Sequence, residues 1–208
     1  TLSPLEIVVV NTRAGSRYGH NDYVSSGCGM GLEATLYLLE RGVRLTGTDA
    51  WSWDAPFVHT AEKYKAATEE FLNTVASLKN TDLDKSDSEG WSPRQVIHHM
   101  ADSEAQSYAR LRRLIAEPGT TIQGYDEGKW AESETLGYKT QEITDSLAII
   151  KSVRKASYEL IKRLSEKELA NSGIHSETGK YTVMNWLETY TKHPIDHSNQ
   201  IKGQLSGK

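Results

Sequence analysis

The amino-acid sequence predicts a mainly α-helical protein in which a four-helix bundle follows a small N-terminal α/β fragment. Two observations carry this prediction. From about Ala61 onward, four long segments repeat apolar residues at helical spacing. Up to about Thr60 the chain is instead rich in glycine and tryptophan and contains two runs typical of strands. We therefore predict two domains, at residues 1–60 and 61–208.

The N-terminal fragment follows a strand–helix–strand order. Residues 6–12 form an apolar run typical of a buried strand, and residues 43–49 form a second strand-like run. Between them, residues 31–42 have helical spacing, with Gly42 as the stop signal. One such unit is too small for a complete α/β domain. We therefore expect the fragment to pack on the bundle, to complete a sheet across a homodimer, or to be poorly ordered.

Four helices of the bundle are predicted from amphipathic spacing and capping residues. The second helix starts at Ser92-Pro93, with the serine as N-cap, and ends near Ala116 before Pro118-Gly119. The other three helices are expected over residues 61–78, over residues 140–164 and from about Thr182 onward. The long central connection carries a short helix at residues 126–131, and residues 175–180 form a turn.

Composition excludes several classes of partner. The net charge is -4, the pI is about 6.0, and no run of basic residues is present, which argues against nucleic-acid binding. A mean hydropathy of -0.58 without a long apolar stretch argues against membrane insertion. Cys28 is the single cysteine, so the chain cannot form an internal disulfide. This composition predicts a cytoplasmic protein.

Three histidines are the most informative residues. His193 and His197 are four positions apart, so one helix presents both rings on one face. His99 lies on the predicted second helix, and all three imidazoles converge if that helix packs beside the last one. Three neutral nitrogens with one open position are how proteins hold a catalytic divalent metal. The alternative is that these are ordinary histidines of the core or the surface.

The spacing leaves three questions open at this site. His98 and His99 point about 100° apart, so only one of them faces the core, and helical periodicity does not choose between them. Asp102 lies three residues after His99 and could orient that imidazole, or it could be a solvated acid. Pro194 lies between two predicted ligands and should kink the helix, which would aim the site or degrade it.

About residues 61–205 resemble the DinB/YfiT superfamily of four-helix-bundle proteins. Its tryptophan-led second-helix motif corresponds to W-S-P-R-Q-V-I-H-H-M-A-D-S-E, and two further segments match the YfiT-like branch: Y-D-E-G-K-W and H-P-I-D-H-S-N-Q-I. In this family the ligand histidine directly precedes the hydrophobic-Ala-Asp segment, which selects His99 over His98. The resemblance implies a divalent metal, nickel or zinc, held by His99, His193 and His197 with water completing the shell.

The same resemblance implies an activity. The YfiT-like branch is described as metal-dependent hydrolases, and relatives transfer low-molecular-weight thiols to small electrophiles. Both activities are consistent with a metal that makes a nucleophile from water or a thiol near neutral pH. The alternative is a bundle that binds metal without catalysis. Residues that match the family and could line a substrate pocket are Tyr108, Arg110, Tyr125, Asp126 and Trp130. Their simpler roles are packing and surface solvation, and no general base stands out.

Residues 4–59 resemble an internal stretch of the cyclase family that includes kynurenine formamidase-like amidohydrolases. The matching segments are V-V-V-N-T-R-A-G-S-R-Y-G and, later, G-L-E-A-T-L-Y-L-L-E-R-G-V-R-L-T-G-T-D-A-W-S-W-D-A-P-F. That family's metal site depends on an upstream His-x-Gly-Thr-His-x-Asp type motif, which this chain lacks. We therefore predict an incomplete domain without its own catalysis, and amidohydrolase activity is the weaker alternative. Asp49 and Asp54 are expected to cap or pair locally, and the loop at Cys28 fits no phosphate-binding or Cys-His pattern.

Overall fold

The structure is a computed structural model that describes residues 2–20, 22–23, 26–50, 57–86 and 90–205. Its architecture confirms the predicted fold class, which is mostly helical with small sheets. The chain divides into two units, Thr1–Glu62 and Lys63–Lys208. No helix in the described part of the chain has the length and apolar character needed to cross a membrane.

The first unit contains one strand–helix–strand element. β1 (Ile7–Val10) pairs in parallel with β2 (Leu45–Thr48), and α1 (Leu32–Glu40) connects them. α1 ends where the sequence predicts, because Gly42 adopts a φ of 77° that a side chain would disfavour. The amides of Gly42 and Val43 donate to the carbonyls of Leu39 and Leu38, a Schellman ending.

Four long helices dominate the second unit. They are α2 (Phe57–Ala76, which begins in the first unit), α3 (Pro93–Ala116), α5 (Thr144–Ile161) and α7 (Val183–Leu205). Two short helices, α4 (Glu127–Glu132) and α6 (Glu166–Leu169), lie in the connections. The start of α3 is fixed by a capping box in which the Ser92 hydroxyl accepts from the Gln95 amide and the Gln95 side chain accepts from the Ser92 amide.

A small sheet in the second unit was missed by the sequence prediction. β3 (Thr121–Ile122) pairs in parallel with β4 (Ser172–His175), which pairs antiparallel with β5 (Gly179–Thr182). The predicted turn at residues 175–180 is the connection between β4 and β5. Strands of two to four residues are too short to show a period-two pattern, so the sequence carries no signal for this sheet.

A hydrophobic core joins the four long helices at the level of the predicted metal site. Phe71 of α2, Ile97 and Met100 of α3, Ile150 of α5 and Ile201 of α7 are each 0% exposed. Each such side chain stabilises the fold by about 1.5–3 kcal/mol when fully buried. Ile97 and Met100 flank the predicted ligand of α3 in sequence, so the core fixes the two helices that carry the histidines.

Candidate metal centre

The structure brings the three predicted histidines together. His99 lies on α3, and His193 and His197 lie one turn apart on α7. The Nε2 of His193 lies 3.2 Å from the Nε2 of His99 and 3.0 Å from the Nε2 of His197. One ligand nitrogen from each ring falls within 4.8 Å of the others. Three ring nitrogens therefore face one point between two helices.

The Nδ1 atom of each ring, which faces away from this point, indicates whether the cluster can bind a metal ion. The Nδ1 atoms of His99 and His193 are buried and have no hydrogen-bond partner among the described residues. If each Nδ1 carries the ring proton, all three Nε2 lone pairs point inward, and a cation replaces the close nitrogen–nitrogen contacts. Three imidazole nitrogens in a desolvated cluster are a donor set that suits zinc or nickel. The residues present therefore fit a divalent metal.

Burial keeps these rings neutral, which is the ligand form. Desolvation lowers the pKa of His99 to about 3 and that of His193 to about 2, and the neighbouring histidines add to the effect. Desolvation also lowers the pKa of His197, although its hydrogen bond to Gln200 and the charge of Asp196 oppose the shift. All three rings are therefore available as lone-pair donors at neutral pH, without competition from protons.

Gln200 orients one of the three rings. Its side-chain Oε1 lies 2.8 Å from Nδ1 of His197, so the amide oxygen accepts the Nδ1 proton and leaves Nε2 free to face the cluster. Gln200 lies three residues after His197 on the histidine face of α7, a position that the helical spacing predicts. Helical spacing alone assigns Gln200 no role, because a polar residue on a helix face is usually solvated.

The predicted pairing of Asp102 with His99 is not found. The Tyr138 hydroxyl donates to Oδ2 of Asp102 at 2.6 Å, while Nδ1 of His99 has no hydrogen-bond partner among the described residues. Spacing of three along a helix places two side chains on one face, but the connection before α5 supplies a competing partner for this carboxylate. The His99 ring packs instead on Trp91, with ring centroids 4.9 Å apart.

His98 has a structural role. Its Nδ1 lies 2.8 Å from the Ser146 hydroxyl, and its Nε2 lies 3.1 Å from the carbonyl oxygen of Gln141. Both ring nitrogens are thus satisfied by the start of α5 and the preceding loop. The family motif's choice of His99 over His98 agrees with this geometry.

Two of the predicted pocket residues, Tyr125 and Trp130, are in contact, and Arg110 bonds to the segment just before them. The Arg110 guanidinium donates to the Tyr190 hydroxyl at 3.2 Å and to the Gln123 carbonyl at 2.7 Å. The Tyr125 ring packs on Trp130 at 4.6 Å, and its hydroxyl is buried beside Ser103. Desolvation raises the pKa of this hydroxyl, which therefore stays protonated and can donate.

The side chains of the other two predicted pocket residues make other contacts. Tyr108 is 38% exposed and stacks under the Arg112 guanidinium at 3.2 Å. It follows His99 by nine residues, which turns it about 180° away from the cluster. Asp126 is the N-cap of α4, accepts from the Lys129 amide at 3.0 Å and pairs with the Lys129 ammonium. Its carboxylate therefore stabilises a helix end.

Pro194 leaves α7 continuous from Val183 to Leu205. Proline has no amide proton, so the Tyr190 carbonyl one turn earlier loses its usual helical donor. The structure supplies a replacement, because Nη1 of Arg154 donates to the Tyr190 oxygen at 3.0 Å. The predicted kink is therefore not a break in the helix.

Among its described residues, the first unit offers no comparable cluster. Asp49 accepts from the Thr12 amide at 2.6 Å, the Thr12 hydroxyl at 2.8 Å and the Gly15 amide at 3.0 Å, so it caps the loop after β1 and not a sequence neighbour. Asp54 lies outside the described residues. Cys28 is exposed and free. Across the described part of the chain, the only group of three potential ligands is the histidine cluster of the second unit.

Comparison with known proteins assigns the family. The sequence model of the DinB superfamily matches residues 63–201, and the chain belongs to this superfamily. The model named "Putative cyclase" matches residues 1–55. Two relatives from Oceanobacillus iheyensis carry the name "Putative metal-dependent hydrolase". One is 37% identical over 130 residues, covering 62% of this chain and 74% of the relative. The other is 30% identical over 134 residues, covering 64% and 76%.

Solved structures show the same bundle. YfiT from Bacillus subtilis, titled "a probable metal-dependent hydrolase with an unusual four-helix bundle topology", has a TM-score of 0.66 and 25% identity. The match covers 73% of this chain and 86% of YfiT. A mycothiol-dependent maleylpyruvate isomerase has a TM-score of 0.55 and 14% identity, and the match covers 70% of this chain and 60% of the isomerase. At that identity the likeness concerns the fold alone.

Proposed function

We propose that the protein is a metal-dependent hydrolase whose divalent metal is held by His99, His193 and His197. The observation that carries this proposal is the pair of Nε2 contacts, 3.2 Å and 3.0 Å, among three rings that burial keeps neutral. The names of the Oceanobacillus relatives and of YfiT support the same class of activity. Nickel or zinc is the expected metal, because both accept imidazole ligands readily.

The residues around the cluster have separable roles in this proposal. When bound, the cation supplies a Lewis acid that lowers the pKa of a water ligand toward neutrality. Three protein ligands leave one position open for that water or for substrate. Gln200 holds the tautomer of His197, and Trp91 packs against His99. We assign the binding of a small-molecule electrophile to two hydrogen-bond donors, the Tyr125 hydroxyl and the Arg110 guanidinium.

A second candidate is transfer of a low-molecular-weight thiol to an electrophile. Among the described residues, the three rings form hydrogen bonds only with one another and with Gln200, so no carboxylate there accepts a proton from them. A thiol that binds a divalent metal would have a pKa low enough to give its proton to solvent, whereas a water ligand is a weaker acid and would benefit from a nearby carboxylate acceptor. A third possibility is a metal-binding bundle without catalysis.

We also propose that residues 61–208 carry the function alone and that residues 1–60 supply no catalytic group. Asp49 is occupied by three hydrogen bonds from Thr12 and Gly15 of the first unit, which supports this division. A cytoplasmic location and a homodimer that completes the first unit's sheet remain predictions. Sedimentation of the purified chain at several concentrations tests the dimer.

The three activity classes are separated by one assay series. Protein loaded with zinc or nickel is compared with chelator-treated protein on a panel of small esters and amides, and then on an electrophile with several low-molecular-weight thiols. The hydrolase proposal expects metal-dependent turnover without thiol. Turnover only with thiol supports the transferase, and one bound metal without turnover supports the binding protein. His98→Gln is the matched control. It changes the residue next to His99, whose ring bonds to α5 and the loop before it and not to the cluster.

A further inference from the structure

The helix that carries two of the predicted ligands contains a backbone defect between them. Pro194 has no amide proton to donate to the Tyr190 carbonyl, and Nη1 of Arg154 donates to that oxygen at 3.0 Å instead. Arg154 is on α5, so the missing intrahelical bond is replaced by a bond from another helix. The turn from Tyr190 to Pro194 includes His193, and its geometry therefore depends on where this guanidinium lies.

Arg154 is itself fixed by further contacts. The same Nη1 donates to Oε1 of Glu104 on α3 at 2.6 Å, and the pair is 1% and 0% exposed at its side chains. Nε donates to the Thr68 hydroxyl at 2.6 Å, and Nη2 donates to the Tyr64 carbonyl at 3.2 Å, both on α2. One side chain thus joins the four long helices.

The location of this ion pair is informative. A buried ion pair is costly to desolvate, and apolar residues of similar size often serve stability as well or better. Such a pair is therefore better explained by a requirement for one defined geometry. Glu104 lies five residues after His99 on α3, and the Tyr190 carbonyl lies one turn before His193 on α7. The pair connects the two helices that must bring their histidines to one point.

We propose that Arg154 is a positioning residue for the three-histidine cluster. It supplies the donor that Pro194 lacks, and through Glu104 it sets the position of that turn of α7 against α3. The statement about metal geometry rests on the proposed function, whereas the bond to the Tyr190 carbonyl does not.

A thermodynamic cycle with Pro194 tests the proposal. The variant Pro194→Ala restores the backbone donor, so the Tyr190 carbonyl no longer needs Arg154. The double variant Arg154→Met/Glu104→Leu removes both charges together and leaves no unpaired buried ion. We expect the double variant to weaken zinc or cobalt binding by about 10- to 100-fold in the natural background, as loss of an orienting group does. In the Pro194→Ala background we expect a smaller loss, of about threefold, because the helix then supplies its own donor to the Tyr190 carbonyl and only the link to α3 through Glu104 is missing.

Spectroscopy separates positioning from stability. The visible absorption of bound Co²⁺ should change in the double variant and return toward the original spectrum when Pro194→Ala is added. Arg154→Lys, which keeps the charge but loses the planar fork, provides a second variant if the double variant does not fold. The matched control is Arg94→Met/Asp84→Asn, an arginine–carboxylate pair whose arginine also lies on α3, five residues before His99. The hydrogen bonds of the Arg94 guanidinium go to Asp84 and to the Gln141 carbonyl, so the variant should leave the spectrum unchanged.

Each result decides the proposal. Unchanged metal affinity in the double variant, or an equal loss in both backgrounds, would overturn it. If the natural chain binds neither zinc nor cobalt, the proposed function fails, and ¹⁵N spectra of the histidine rings in metal-free protein decide the positioning role. In that case the ring signals of His193 and His197 should shift in the double variant and return toward their original positions when Pro194→Ala is added. Signals that stay unchanged would overturn the proposal independently of metal.

Discussion

The two units of this chain differ in what their helices and strands can bury. In the first unit, the described apolar side chains that are buried are small or medium, namely Ala14, Val43 and Ala61, while Ile7, Val9 and Leu45 are 62%, 71% and 58% exposed. In the second unit, large side chains such as Phe71, Ile97 and Trp186 are 0% exposed. A closed core is what allows three histidines to be desolvated and held neutral in one place. The first unit has the strand order of an α/β fold without the layers that would complete it.

The largest expected effect comes from the core itself. Phe71→Ala should lower the free energy of unfolding by about 3–5 kcal/mol, because it leaves a cavity among four helices. Val9→Ala in the first unit should cost less than about 0.5 kcal/mol, since that side chain is 71% exposed. Denaturant unfolding followed by circular dichroism measures both. A cost at Val9 comparable to that at Phe71 would show that the strand is covered in solution.

The next effect concerns a ligand. His197→Ala should weaken metal binding by about 100-fold or more, because two imidazoles remain where three converge. His20→Ala is the control in the first unit, where the ring is exposed. Competition with a metal chelator gives both affinities. Equal affinity in the two variants would place the metal somewhere other than the cluster.

The orienting amide should matter less than the ligand it holds. Gln200→Ala should reduce metal affinity by about tenfold, since Nδ1 of His197 loses the acceptor that fixes its tautomer. Gln200→Glu keeps an acceptor at the same position and should retain most of the affinity. A larger loss in the glutamate variant than in the alanine variant would contradict the orienting role.

The smallest expected effect is the change in the stability of the metal-free protein with each unit of pH. His99 and His193 have pKa values of about 3 and 2 when folded, below the value near 6.5 of an unfolded histidine. The unfolded chain therefore binds more protons, and stability is complete above pH 6.5 and declines as the pH falls toward 3. Each histidine should contribute about 1 kcal/mol of loss over the first pH unit below 6.5.

A variant sharpens this measurement. Metal-free His99→Leu has one fewer buried imidazole and should lose stability less steeply between pH 6.5 and 5.5. Urea unfolding at a series of pH values gives the slopes. Identical slopes in the two proteins would mean that His99 is not held neutral by burial.

What the sequence could predict depended on local signals. The ends of α3 were predicted at Pro93 and Ala116, because Ser92-Pro93 and Pro118-Gly119 are strong boundary signals. Gly42 likewise marks the end of α1. The convergence of His99 with His193 and His197 required that two helices pack side by side, and a family motif supplied the choice between His98 and His99. Metal binding itself remains a prediction.

What the sequence could not predict depended on contacts between distant elements. Asp102 has the right spacing to reach His99, but the Tyr138 hydroxyl from a later connection takes its carboxylate. In the sequence, Arg154 is one of several cationic residues on an amphipathic helix. Only the structure shows that it donates to Glu104 and to the Tyr190 carbonyl. Helical periodicity predicts the helix face on which a side chain lies but not the residue that it contacts. Such pairs are therefore found only in the packed structure.

The account depends most on whether the three histidines of the second unit hold a metal. The direct measurement is the metal content of the purified chain after loading with zinc or nickel and dialysis, compared with His99→Ala and His98→Gln. We predict one ion per chain in the natural protein and in His98→Gln, and none in His99→Ala. No retained metal in the natural protein, or an equal content in His99→Ala, would contradict the account.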